Sequence, residues 1–248
     1  MSFRSLRLFV CSLIFVASSG LSQAQTMTIV ADEWPPFSGA SLPNKGMSLD
    51  VISTVLTKAG YDVETEVLPW ARIMNNAKLG KVDIVGSLFF DADLTQHLSY
   101  AEPFYQTDVQ LVRRKGTDHA YTSVEALKPY SIAVGAGFLY QDEFDRADYL
   151  NKIVVTETLQ AAQMVAAGRA DLTLDSVDVI NHVIYTDAPE LASQLEVAPG
   201  VLASQGIYMA VRNSLPNRDS VIRDFNRVLQ SMRDDGSLER LLAVHTRQ

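Results

Sequence analysis

Short apolar runs alternate along the first half of the chain with segments whose apolar residues recur at helical spacing. This pattern predicts strands at residues 28–32, 62–68, 82–85 and 108–114, and helices at residues 48–59 and 70–79. Strands that alternate with helices are typical of a mainly parallel sheet covered by helices on both faces.

A second series of the same kind follows the polar break at residues 115–118. The pattern predicts strands at residues 130–134, 153–156, 171–174, 195–198 and 206–212, and helices at residues 140–144, 159–167, 177–185, 216–233 and 237–244. Two such series predict an α/β protein made of two lobes.

The first 24 residues have the pattern of an export signal. Arg4 and Arg7 precede an apolar stretch, and Ser22-Gln23-Ala24 then offers the small residues that a signal peptidase reads. The apolar stretch is short for a bilayer span, so we predict cleavage, with an uncleaved membrane anchor as the alternative. Cys11, the only cysteine, would leave with the signal, and export without disulfides suits a bacterial periplasm.

Composition excludes several classes of function. The formal charge is −8 and becomes about −10 when Arg4 and Arg7 are removed, which argues against nucleic-acid binding. The four histidines show no zinc-ligand spacing, and neither a phosphate-binding loop nor a nucleophile elbow is present. We therefore expect no metal, no cofactor and no enzymatic activity.

Several short motifs follow one another in a fixed order. They are Glu33-Trp34-Pro35-Pro36-Phe37, Gly46 with Asp50, Trp70, Gly80-Lys81-Val82-Asp83, Ser99 with Pro103-Phe104-Tyr105, and Gly168-Arg169-Ala170-Asp171 followed by Asp175. In this order the chain resembles bacterial periplasmic solute-binding proteins of family 3, which serve polar amino-acid importers. The resemblance covers essentially the whole chain after the signal.

The resemblance implies a type II periplasmic-binding-protein fold, with two lobes joined by two crossover hinge strands. The implied division is a first lobe at residues 25–112, a second lobe at 113–203, and a return to the first lobe at 204–248. It further implies a monomer that captures a small polar solute, an amino acid or a related carboxylate or amine, by lobe closure. A membrane ABC permease would then receive the solute.

One motif of the family is missing. Its amino-acid binders usually carry an arginine shortly after the third strand, which grips the ligand's carboxylate, but here that position falls on Leu94 or Thr95. A guanidinium clamp is hard to replace with a neutral group. Either the ligand is not a standard amino acid, or another group such as Arg72 binds the anion. The alternative for Arg72 is an ordinary surface arginine.

Residues at predicted strand ends and helix starts are the expected ligand contacts of the first lobe, because parallel sheets bind ligands there. Aromatic rings at these positions can stack on a ligand, or they can simply cover the core. The expected contacts in the first lobe are Trp34, Phe37, Trp70, Arg72, Ser87 and Phe89.

In the second lobe, the expected contacts are Phe138, Tyr140 and Asp175. The turn at 135–138 precedes a predicted helix, whose free N–H groups would suit a carboxylate or phosphate. In relatives with the matching acid, the carboxylate corresponding to Asp175 pairs with the ligand's amino group. The alternative for Asp175 is a helix N-cap.

Two other functions stay open at this point. The same fold can present its ligand to a membrane receptor as a sensing module, and the sequence does not separate this from transport. A few relatives are enzymes that resemble cyclohexadienyl dehydratase, which would need a cleft acid or base poised near neutral pH.

Overall fold

A computed structural model describes residues 26–246, including the backbone but not the side chain of Thr246. The predicted signal at residues 1–24 lies outside this range. The strands are β1 (Met27–Ala31), β2 (Val63–Val67), β3 (Ile84–Leu88), β4 (Leu98–Tyr100), β5 (Tyr105–Arg114), β6 (Ser131–Gly135), β7 (Asn151–Val155), β8 (Leu172–Ser176), β9 (Leu195–Val197) and β10 (Ala203–Arg212). The α-helices are α1 (Met47–Lys58), α2 (Trp70–Lys78), α3 (Asp142–Asp145), α4 (Thr158–Ala166), α5 (Val177–His182), α6 (Arg218–Asp234) and α7 (Ser237–Thr246).

The strands form two parallel groups joined by two long antiparallel strands. Their order is β2-β1-β3-β10-β5-β8-β6-β7, with β4 paired to β10 and β9 paired to β5. β1 is parallel to β2 and β3, and β6 is parallel to β7 and β8. The predicted pair of α/β lobes, each with a mainly parallel sheet, is therefore present.

Each of the two long strands passes from one lobe to the other. Residues 105–109 of β5 pair with residues 203–207 of β10. Beyond this shared segment, β5 pairs with β8 and β9 in the second lobe, and β10 pairs with β3 and β4 in the first. These are the two predicted crossover strands.

The last two helices pack on the first lobe. α6 and α7 lie against α1, where buried Phe225 and Leu229 complete the apolar core. His245 Nε2 lies 2.8 Å from Asp50 Oδ2, and the Tyr61 hydroxyl donates a hydrogen bond of 2.9 Å to Asp224. The C-terminal segment is thereby held to the helix that follows β1.

The two related motifs that end in Asp83 and Asp171 have the same local role in the two lobes. Asp83 Oδ2 accepts a hydrogen bond of 3.2 Å from the backbone N–H of Thr28, and Asp171 Oδ2 accepts one of 2.8 Å from that of Ser131. Each acid thus fixes the start of the neighbouring parallel strand. The Ser131 hydrogen bonds also lower the pKa of Asp171.

A few element boundaries differ from the sequence-based prediction. β3 starts two residues later than predicted and runs to Leu88, while the short strand β4 was not predicted. The predicted helix at 177–185 ends as an α-helix at His182, and a π-helical turn, Val183–Asp187, follows it. Within residues 26–246, no helix is long and apolar enough to cross a membrane.

Candidate functional site

A cavity of about 60 Å³ lies where the two lobes face each other. Its walls come from the residues after β1, the start of α2, the end of β3 and the loop after it, the turn after β6, and the end of β8. The lining residues are Asp32, Trp34, Trp70, Ser87, Leu88, Phe89, Asp91, Leu94, Phe138, Leu139, Tyr140 and Asp175. Both lobes therefore contribute, through the carboxyl ends of their parallel strands.

Seven of the nine expected ligand contacts lie on this wall. They are Trp34, Trp70, Ser87, Phe89, Phe138, Tyr140 and Asp175. The structure brings them together from positions spread over more than half the chain. Their role in binding stays a prediction, whereas Phe37 and Arg72 lie elsewhere.

Trp34 and Asp175 connect the two lobes directly. The indole Nε1–H of Trp34 donates a hydrogen bond of 3.2 Å to Asp175 Oδ1. Trp34 is 8% exposed and Asp175 is 1% exposed, so the contact is shielded from water. The loop that follows β1 in one lobe is thus joined to the end of β8 in the other.

Asp175 accepts two further hydrogen bonds. Thr158 Oγ1 donates to Oδ2 at 2.5 Å, and the backbone N–H of Ser176 donates to Oδ1 at 2.7 Å. Burial raises the pKa of Asp175 to about 6, against the lowering effect of these donors. Asp175 does not cap α5, because Ser176 occupies that position and accepts from the backbone N–H of Asp178.

Asp32 is a second buried carboxylate on the same wall, and it was not among the expected contacts. It is 8% exposed, and no other residue within the described range donates a hydrogen bond to it. Its pKa is raised to about 7, mainly by burial and in smaller part by the nearby charges of Asp175 and Glu33. Its place directly after a buried strand was the available signal.

Ser87 has an unusual backbone and an unpaired hydroxyl. Its φ is 60°, in the left-handed region that residues other than glycine seldom occupy. The hydroxyl oxygen is buried and has no hydrogen-bond partner among the described residues. Backbone strain and an unsatisfied polar group are each unfavourable, and the two together are typical of a binding site.

Aromatic rings form much of the remaining wall. The ring of Trp34 lies edge-on to Phe89, with centroids 5.1 Å apart. Trp70 faces the turn after β6, because a β-carbon added to Gly137 would lie 3.8 Å from Trp70 Cδ1. The rings can therefore contact the apolar part of a ligand or a cation over their faces.

Phe37 was an expected ligand contact, but the structure buries its side chain beneath the cavity wall. Phe37 is fully buried and lies beneath Trp34, with ring centroids 4.7 Å apart, and its other side faces Tyr105 at 5.8 Å. The tight turn in which the Trp34 N–H donates to the Ser38 carbonyl directs the ring into the core. Phe37 supports Trp34 and does not line the cavity.

The expected contact at Arg72 is corrected as well. Arg72 is exposed and lies outside the cavity wall, whereas Trp70 lies on it. Residues two apart on a helix point to different faces, so a helix start that places Trp70 in the cavity turns Arg72 away from it.

The turn at 135–138 does not offer the expected set of free N–H groups. The N–H of Ala136 donates to the Val155 carbonyl, that of Phe138 to the Gly135 carbonyl, and that of Gly135 to the Tyr140 hydroxyl at 2.9 Å. The helix that follows, α3, is four residues long and begins with acids. The expected anion cradle is therefore not formed, and burial raises the pKa of Tyr140.

Sequence reasoning missed several other wall residues. Asp91 was not among the expected contacts, and Leu94 was considered only as the position of the missing arginine. Leu88 and Leu139 carried no signal beyond being apolar. Within the described part of the chain, no cluster of three or more His, Cys, Asp or Glu side chains could hold a metal ion.

These features define a two-lobed α/β protein with a small, mostly apolar cavity that carries buried acids between its lobes. The family model for bacterial extracellular solute-binding proteins, family 3, matches residues 27–247. The chain belongs to this family.

A curated relative and several solved structures are similar to the chain. A probable amino-acid ABC transporter-binding protein of Haemophilus influenzae is 22% identical over 198 residues, which cover 79% of this chain and 74% of the relative. A histidine kinase sensor domain matches with a TM-score of 0.78 and 17% identity, over 90% of this chain and 96% of that one.

Two binding proteins extend the structural comparison. A mutant of ArgBP from T. maritima matches with a TM-score of 0.75 and 18% identity, over 90% of this chain and 96% of that one. The GluR0 ligand-binding core of Nostoc punctiforme, in complex with (L)-glutamate, matches with a TM-score of 0.73 and 18% identity, over 90% and 100%. These likenesses establish the periplasmic-binding-protein fold.

Proposed function

We propose that this protein captures a small polar solute between its two lobes and delivers it to an ABC importer in the membrane. The hydrogen bond from Trp34 to Asp175 carries the proposal, because it joins the lobes across a cavity that both of them line. A ligand that contacts both walls favours the closed arrangement over any open one. Family membership and the Haemophilus influenzae relative support the transport role.

We place the protein in the periplasm as a free monomer after removal of residues 1–24. Support comes from the charge and apolar pattern of that segment and from the extracellular character of the family. N-terminal sequencing of the protein recovered from the periplasm tests cleavage, and an N-terminus at Met1 would contradict it.

Binding and closure can be measured together. Trp34 and Trp70 are the only tryptophans of the chain, and both line the cavity, so intrinsic fluorescence reports on the site. We expect a solute from a panel of amino acids, polyamines and small carboxylates to change this fluorescence and to raise the melting temperature by mass action.

Closure itself requires a distance measurement. Spin labels at Lys78→Cys in α2 and Glu143→Cys in α3, with Cys11→Ser, would report the separation of the lobes. A bound solute should narrow the distribution of distances. A solute that saturates the fluorescence change but leaves the distances unchanged would contradict capture by closure.

A sensing role is the second candidate function, favoured by the likeness to a histidine kinase sensor domain. The two roles differ only in the membrane partner. Crosslinking of the solute-loaded protein in the periplasm, followed by identification of the captured membrane protein, would separate a permease from a receptor. We propose binding without turnover, so incubation with prephenate-like substrates should return them unchanged.

A further inference from the structure

We propose that the solute is a small organic cation without a carboxylate, and that its charged nitrogen lies between Asp32 and Asp175 against the tryptophan rings. This inference rests on the proposed function, because it names the class of solute that the same cavity holds. It departs from the amino-acid ligands that the resemblance implies.

The charge of the cavity wall carries the first step. Three of the lining residues, Asp32, Asp91 and Asp175, are acids, and within the described residues the wall contains no Lys, Arg or His. A ligand carboxylate would enter a poorly hydrated space next to like charges and without a cationic partner, which is strongly unfavourable. A cation would meet opposite charges there.

The hydrogen-bond state of the two buried acids is the second step. Asp32 lines the cavity and is only 8% exposed. Even so, its carboxylate receives no hydrogen bond from another residue within the described range. Among the residues that the structure describes, only Thr158 donates to Asp175 Oδ2, and a carboxylate oxygen can accept twice. Both acids therefore retain acceptor capacity for the N–H groups of a ligand.

The Ser87 hydroxyl is a further polar group that a ligand N–H can satisfy, and because a hydroxyl also donates, it is compatible with a cation without selecting one. Ser87 lines the cavity, and its hydroxyl is buried and has no partner among residues 26–246. A buried hydroxyl without a partner is costly, and a ligand N–H in the cavity would satisfy it.

The aromatic rings suit a cation equally well. Trp34, Trp70 and Phe89 present π systems to the same space. The faces of such rings attract ammonium and guanidinium groups, and tryptophan does so most strongly. A carboxylate gains no comparable attraction from them.

Several groups that could have bound a ligand carboxylate are directed elsewhere. Arg72 is exposed on another face of α2. The N–H groups of Gly135, Ala136 and Phe138 donate within their own turn or to the adjacent strand. Leu94, where the family arginine is expected, places an apolar side chain on the wall.

Matched pairs of probes test the proposal directly. Agmatine and arginine share a guanidinium, and cadaverine and lysine share a primary ammonium, but only the amino acids carry a carboxylate. Isothermal titration with the purified protein should give an amine of at least one pair a dissociation constant about 30-fold or more below that of its amino acid. Equal or tighter binding of both amino acids would overturn the cation inference and leave solute capture intact.

Charge-neutral variants locate the cation. Asp32→Asn and Asp175→Asn should each weaken amine binding about 30-fold or more, since each leaves the ligand's charge less compensated. Asp148→Asn is the matched control, because Asp148 is exposed in the second lobe and lies outside the cavity wall. This variant should bind the amines as tightly as the parent protein does. Melting curves of all three verify folding.

The failures of the two proposals are distinguishable. If the amines bind but both Asp→Asn variants bind as tightly as the parent, the cation does not lie between these acids and the inference is wrong. If neither amine binds with a dissociation constant below about 1 mM while another solute of the wider panel does, the cation class is wrong and the capture function stands. If no solute of any class changes the fluorescence or the melting temperature, both are wrong.

Discussion

The indole N–H of Trp34 donates to the carboxylate of Asp175 at 3.2 Å, although 141 positions separate the two residues in the chain. One residue follows the first strand of the first lobe, and the other ends a strand of the second. A neutral donor paired with a buried, charged acceptor forms one of the stronger hydrogen bonds in a protein. This contact therefore links ligand capture to the relative position of the lobes.

Trp34→Phe should open the protein while keeping a ring in place. Loss of the donor leaves Asp175 with Thr158 and Ser176 as its donors within the described range, and we expect about tenfold weaker solute binding. The distribution of distances between spin labels at Lys78→Cys and Glu143→Cys should also broaden. Trp70→Phe is the matched control, because Trp70 lines the cavity without a hydrogen bond to Asp175. Equal broadening of the distance distribution in both variants would contradict a specific role of the Trp34 hydrogen bond in holding the lobes together.

The stability of the ligand-free protein should fall as the pH rises from 5 to 8. Burial raises the pKa of Asp32 to about 7 and that of Asp175 to about 6, so the folded protein holds these protons more tightly than the unfolded chain does. Each acid contributes stability that is full near its unfolded pKa of about 4 and is lost as the pH passes its folded value. The loss is about 1.4 kcal/mol per unit of pKa difference.

Thermal unfolding across this pH range, with and without Asp32→Asn, isolates the effect. The variant should melt higher than the parent at pH 8 and show a flatter dependence on pH. The contacts of His182 with Asp187 and of His245 with Asp50 remain in both proteins, so their contribution cancels in the comparison. Parallel pH profiles would show that Asp32 does not titrate in this window.

Leu94→Arg should shift the binding preference of the cavity from amines towards ligands that carry a carboxylate. A guanidinium at this position of the wall would repel an amine and would offer a bidentate partner to an α-carboxylate. We expect amine affinity to drop about tenfold or more and an amino acid such as arginine to gain. Thr95→Arg is the control, because Thr95 is exposed next to Leu94 and lies outside the cavity wall. An identical effect of both variants would point to long-range charge rather than a local contact.

Phe37→Ala should affect the stability of the protein more than it affects ligand binding in the cavity. The ring is fully buried between Trp34 and Tyr105, so its removal leaves a void and should lower the free energy of unfolding by about 3–5 kcal/mol. Phe90→Ala is the control, since Phe90 is half exposed, and it should cost about 1 kcal/mol or less. Chemical denaturation measures both, and similar losses would contradict the supporting role of Phe37.

The fold was largely predictable because the spacing of apolar residues marks most of the strands and helices, and glycines follow the ends of several helices. β4 escaped because three residues carry too little pattern, and β3 was placed early because Val82 is apolar but precedes the strand. The positions of the strand ends followed from the parallel arrangement, which is why Trp34, Ser87 and Asp175 were anticipated near one cavity.

The site was less predictable because side-chain direction is set by structure that the sequence does not display. Arg72 and Trp70 are neighbours in a motif, yet a helix turns them to different faces. Phe37 follows Trp34 by three positions, yet a tight turn sends it into the core. Asp32 looked like the end of a strand, and only the approach of the second lobe makes it a buried neighbour of Asp175.

The placement of β10 has a consequence for the order in which the chain can fold. The strands that lie wholly in the second lobe, β6 to β9, end by residue 197, so they can pair while the rest of the chain is still being made. The first lobe has its N-terminal strands early, but β3 and β4 flank β10, and α7 closes over α1. The half that is begun first on the ribosome is therefore the half completed last, with the open edge of β3 awaiting residues 208–211.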